Sequence, residues 1–152
     1  MTSRMTQEWS LRERLEALAA FRPVFEREGF SFAQDIPCRM EGDMIVLGGI
    51  RLGQDATRFY QMAYDFGWVG AFDWSAWRNT PVGQRLMNDP TALDDASAED
   101  LVQVLTTCVR ADRFCDGYLA EAFKAGLITR VVVRAYQLLD DLVEREPGSI
   151  RS

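Results

Sequence analysis

Apolar residues return every three or four positions over three stretches of this chain, and each stretch predicts a helix. From about Thr6 to Ala20, Trp9, Leu11, Leu15, Leu18 and Phe21 recur near helical spacing, with Arg12, Glu13, Arg14 and Glu16 between them. A second helix opens at Ser97-Ala98-Glu99-Asp100, where acids favour the dipole of a first turn, and shows Leu101, Val104, Leu105, Cys108 and Val109 on one face. The longest stripe runs from about Leu127 to Glu146 through Ile128, Val131, Val132, Ala135, Leu138, Leu139, Leu142 and Val143. Pro147-Gly148 is expected to end it, with the last residues frayed.

Shorter elements fill the intervals. Pro23 restarts a brief helix through Val24 and Phe25 that stops at Gly29, before an extended or loop stretch at Phe30-Ser31-Phe32. Between Ile36 and Ile50, apolar residues flank Glu41-Gly42-Asp43 and Gly48-Gly49 follow, which predicts a small hairpin. Asp55 is placed to cap a helix that carries Phe59, Tyr60, Met62, Ala63 and Phe66 inward and ends at Gly67. Asp73 should cap a single turn bearing Trp74 and Trp77, and Thr80-Pro81 opens a further helix that Asn88-Asp89-Pro90 ends. Another helix holds Tyr118, Leu119, Ala122 and Phe123 and stops at Gly126. The expected fold is mainly α: one compact domain over 1–152, about six helices, and a small β-hairpin in the N-terminal third. Residues 1–5 and 147–152 are expected to fray, and 35–54 to form a hairpin or insert-like segment.

Composition narrows the function. A chain of 152 residues with 47% hydrophobic content can build a core without staples. Its net charge is −6, from 23 acids and 17 bases, which argues against a nucleic-acid binder needing a basic face. Nearly all the bases are arginine, Lys124 being the one lysine, and arginine suits fixed ion pairs with carboxylates. Histidine is absent, so Ser-His-Asp and Cys-His machinery cannot be assembled within one chain. Cys38, Cys108 and Cys115 have no metal or disulfide spacing, no phosphate-cradling glycine motif occurs, and no cofactor is expected. A polar, charged start and the lack of a long apolar run predict a cytoplasmic protein without leader or membrane span.

Two runs concentrate bulky aromatics beside ionic groups: Phe72-Asp73-Trp74-Ser75-Ala76-Trp77 and Val109-Arg110-Ala111-Asp112-Arg113-Phe114-Cys115-Asp116-Gly117. Burying such charges is costly without partners, so the runs mark either a polar lock between helices or a binding site. In the first reading Asp112 or Asp116 caps the next helix and Arg113 forks onto Asp73. In the second, Arg110 and Arg113 bind an anion beside Trp74 and Trp77. Asp94, Asp95, Glu99 and Asp100 form part of an acid-rich interval without a base, a candidate acidic binding face.

Several of these residues also carry a resemblance. Leu18-Ala19-Ala20-Phe21-Arg22-Pro23-Val24-Phe25 with Gly29-Phe30-Ser31-Phe32, then Gly67-Trp68-Val69 leading into Phe72-Asp73-Trp74 and Trp77, are two of its segments. Arg110-Ala111-Asp112-Arg113-Phe114 with Gly117, Leu119, Phe123 and Gly126 is the third. In that order, from Leu18 to about Leu139, the chain resembles a family of small bacterial proteins catalogued only as a domain of unknown function. The resemblance implies a small, mainly helical cytosolic domain and no particular reaction. The function expected from the residues is a non-catalytic protein-binding module, possible as a homodimer through the long last helix. A sharper form is an inhibitor of a defence nuclease, of the anti-CRISPR kind. The alternative is a small enzyme or anion sensor built on the Arg/Asp/Trp cluster.

Overall fold

A computed structural model describes residues 9–115 and 117–145. Helix α1 (Leu11–Ala19) begins where Ser10 and Glu13 close a reciprocal capping box, each side chain accepting the other's backbone N–H. The start expected near Thr6, the end expected at Pro147 and the cap expected of Asp116 lie outside the described residues. One turn, α2 (Arg22–Phe25), follows with Pro23 in its first turn, and Gly29 turns the chain at φ +78°.

The expected hairpin is present and longer than its sequence signal. Strands β1 (Ala33–Ile36), β2 (Arg39–Glu41), β3 (Met44–Val46) and β4 (Gly49–Leu52) pair β1 with β4 and β2 with β3, both antiparallel. The two pairs nest into one ribbon, interrupted at Pro37-Cys38 and Leu47-Gly48 and turning at Gly42-Asp43. Gly48 packs against the Ile36 carbonyl so closely that a Cβ has no room, which fixes glycine at the joint between the halves.

Helix α3 (Gln54–Asp65) starts one residue before the expected cap. Gly53 holds the cap position, and Asp55, inside the first turn, pairs instead with Arg27 at 3.1 Å and Arg58 at 2.9 Å. Asp73 does cap the single turn α4 (Trp74–Trp77), accepting from the Ala76 N–H at 3.0 Å. Helix α5 (Pro81–Asn88) is capped by Thr80, and a 3-10 helix over Pro90–Asp95, which the sequence pattern did not announce, leads to α6 (Ala98–Ala111). Ser97 and Asp100 form a second capping box there. Helices α7 (Tyr118–Lys124) and α8 (Leu127–Arg145) complete the mainly helical fold.

The core forms around α8. Its Ile128, Val131, Val132 and Ala135 are buried in one cluster with Leu15 and Leu18 of α1 and Leu101, Val104 and Leu105 of α6. Helix α8 contacts α1 most extensively and also touches α2, α6, α7 and the 3-10 helix. Its apolar stripe over 128–135 is therefore filled by its own chain, which leaves that part no free face for the dimer seam expected of it. Among the described residues no helix is long and apolar enough to cross a membrane.

Candidate functional site

The turn between α6 and α7 holds Arg110, Asp112 and Arg113 of the residues singled out by the sequence. Gly117 occupies the cap position of α7 with φ +86° and no side chain to offer. Asp112, the cap residue of α6, reaches across and accepts from the Leu119 N–H at 3.0 Å, tying the two helices. A Cβ on Gly117 would lie 2.9 Å from Ile50 Cγ1, so the inner half of the ribbon seats directly on this turn.

Arg113 and Asp73 do not meet. Asp73 caps α4, whereas Arg113 donates from Nη2 to the Tyr64 hydroxyl at 3.1 Å. Tyr60 and Tyr64, one helical turn apart on α3, pack with tilted rings, 5.3 Å between centroids. Burial and the neighbouring Tyr60 push the Tyr64 hydroxyl pKa up, against the pull of the Arg113 and Arg110 charges. Arg110 lies near enough for its charge to act on the same hydroxyl, and its Nε is buried without a hydrogen-bond partner. The site is a Tyr/Arg cluster, and Asp73 of the alternative Arg/Asp/Trp pocket is engaged instead in capping α4. The tyrosine spacing was visible in the sequence, but Tyr60 read only as part of an inward face.

The tryptophans sit to another side. Trp74 leans on Phe114 with centroids 6.2 Å apart, and Phe114 is 81% exposed. Trp77 packs partly into the core against Phe72. Trp68 is fully buried, and the loop after it is held to α6 by Thr106, whose hydroxyl accepts from the Gly70 N–H at 2.8 Å. Arg78 lies over the Tyr118 ring at 5.6 Å. Cys108 is buried beneath this region and burial pushes its thiol pKa up to about 12, while Cys38 and Cys115 are exposed. Among the described residues no group of three cysteines or acids is placed to hold a metal ion.

On the surface Asp94, Asp95 and Glu99 are exposed, while Asp100 is engaged in the capping box with Ser97. Far more unusual is the outer half of the ribbon. Met40, Met44, Ile45 and Leu47 are 64%, 69%, 64% and 78% exposed. Met40 and Ile45 are directly opposed across the strands and so share a face, while Arg39 and Glu41 pair at 2.8 Å on the other. The sequence carried the signal, apolar residues around a Glu-Gly-Asp turn, but not that nothing among the described residues covers them. A cleft of about 270 Å³ lies between the ribbon root and α7, lined by Phe30, Phe32, Ile50, Phe123 and Lys124 among others.

No curated protein and no solved structure matches this chain. A family model described as a family of unknown function (DUF6508) matches residues 10–141, which takes in α1, the ribbon, the Tyr/Arg cluster and most of α8. The chain belongs to that family.

Proposed function

We propose that this protein is a non-catalytic protein-binding module whose contact surface is the outer half of the β-ribbon. The observation that carries this reading is the exposure of Met40, Met44, Ile45 and Leu47 on a two-stranded arm. An isolated ribbon is marginal in water, and exposed apolar ribbons invite aggregation unless a partner uses them. Covering such side chains contributes on the order of 1.5–3 kcal/mol each before ordering costs are set against it. Both outer strand edges also offer unpaired backbone groups, so a partner strand can extend the ribbon. The absence of histidine from the sequence favours binding over acid–base catalysis.

The inhibitor form of this reading adds Asp94, Asp95 and Glu99 as a second contact, facing the basic surface with which a nuclease holds DNA. The test is capture by the tagged protein from a lysate containing a CRISPR effector, at low and moderate salt, alongside a Met40→Ser/Ile45→Ser variant. One stoichiometric partner, lost with the ribbon variant, supports the module. If that partner is the effector and salt releases it, the inhibitor form stands. A second copy of this chain as the bound species makes the arm a homodimer contact. Equal capture by both proteins contradicts the assignment of the ribbon.

A further inference from the structure

We propose that Arg110 and Arg113, the latter held by the Tyr64 hydroxyl, form a binding site for a small phosphate-bearing ligand, the two guanidiniums supplying its countercharge. This goes beyond the ribbon reading and does not depend on it. Other arginines of the chain find acceptors within the protein: Arg14 and Arg134 on backbone carbonyls, Arg22, Arg27, Arg39 and Arg58 on carboxylates. Arg110 differs, because its Nε is buried without any hydrogen-bond partner. A buried N–H left unmade is costly, and such groups point to a partner that the protein alone does not provide. The described acid nearest in the chain, Asp112, is turned away onto the Leu119 N–H.

The end of helix α6 favours a cation in its last turn through the dipole, which accounts for a charge at Arg110 but not for the missing acceptor. Arg113 brings a second positive charge, exposed and held by Tyr64 rather than by a carboxylate. The Tyr64 hydroxyl accepts from Arg113 and is itself engaged with Tyr60, so it holds the guanidinium in place. One guanidinium fork saturates the two oxygens of a carboxylate. Two guanidiniums fit a tetrahedral dianion, whose oxygens accept from several directions and whose charge they balance.

The test is isothermal titration of the purified full chain with inorganic phosphate at constant ionic strength, with acetate as the planar monoanion control. Saturable binding of phosphate, absent for acetate, is the expected result. Arg113→Gln, an exposed position where folding should be unaffected, is expected to weaken phosphate at least tenfold, and Tyr64→Phe to weaken it less. Arg110→Gln should act like Arg113→Gln provided circular dichroism shows it folded. Absence of saturable phosphate binding, equal binding of acetate, or unchanged affinity in Arg113→Gln overturns the proposal.

Discussion

Arg14 and Trp68 hold each other reciprocally. The Trp68 indole N–H donates to the Arg14 carbonyl at 3.0 Å, and the Arg14 guanidinium donates to the carbonyls of Phe66 and Gly67, the residues just before Trp68, at 2.9 and 3.0 Å. The guanidinium also lies 4.6 Å from the indole ring centroid. This lacing fixes α1 against the end of α3 and places the loop that leads to Trp74. Replacing Trp68 by Phe keeps most of the buried ring but removes the donor. Denaturant unfolding should show a loss of about 1–3 kcal/mol, and an unchanged midpoint would contradict the role assigned to the indole N–H.

Asp112 and Arg113 are neighbours with separate duties. Asp112→Ala removes the acceptor for the Leu119 N–H and should cost about 0.5–2 kcal/mol, the range of a lost helix cap. Arg113→Ala touches an exposed side chain bonded to the tyrosine hydroxyls of α3, so it should leave the fold intact. Thermal melts of the two variants side by side decide this. Unfolding of Arg113→Ala would instead mean that the arginine locks the helices.

Much of this architecture was legible in the apolar periodicity, because α1 and α8 each bury one stripe, while α6 carries such a stripe and is buried well beyond it, at Thr106 and Thr107 too. Ser97 and Asp73 announced their caps by residue type, and both take them up. Asp55 looked like a cap for the same reason, but two arginines claim its carboxylate and the helix starts earlier, at a glycine. The Tyr/Arg cluster was not legible. Arg113 and Tyr64 are 49 positions apart in the chain, and only the packing of α3 beside the α6–α7 turn joins them. The ribbon was half legible: its turn residues showed, while its exposure depends on no other element reaching it.

Gly117 meets two constraints at once. Its φ of +86° disfavours any side chain by about 1–2 kcal/mol, and a Cβ there would press on Ile50 at 2.9 Å. Gly117→Ala should therefore lower stability by more than the backbone cost alone. The loss should be smaller in an Ile50→Ala background, which lacks the Cγ1 that the new Cβ would meet, measured by chemical denaturation. An equal loss in both backgrounds, or no initial loss, would contradict the seating of the ribbon on this turn.

Cys108 gives the protein a pH dependence in alkali. Its thiol rises from an ordinary 9.0 to about 12 through burial, so the folded state holds the proton that the unfolded state releases. The associated stability is whole below pH 9 and is lost as pH rises from 9 toward 12. The slope is about 1.4 kcal/mol per pH unit. Melts at pH 8 and pH 10 should show a steeper fall for the natural protein than for Cys108→Ala. Identical pH dependence would remove Cys108 from the account. Thiol labelling at neutral pH should modify Cys38 and Cys115 and spare Cys108.

We propose the outer ribbon as the place where another protein docks. The most direct measurement is site-specific photocrosslinking in bacterial cells, with a photoreactive residue at Met40, at Ile45, or at the exposed Gln84 of α5 as reference. The account predicts a discrete adduct from positions 40 and 45 and none from position 84. An adduct from position 84 with none from the ribbon would contradict it.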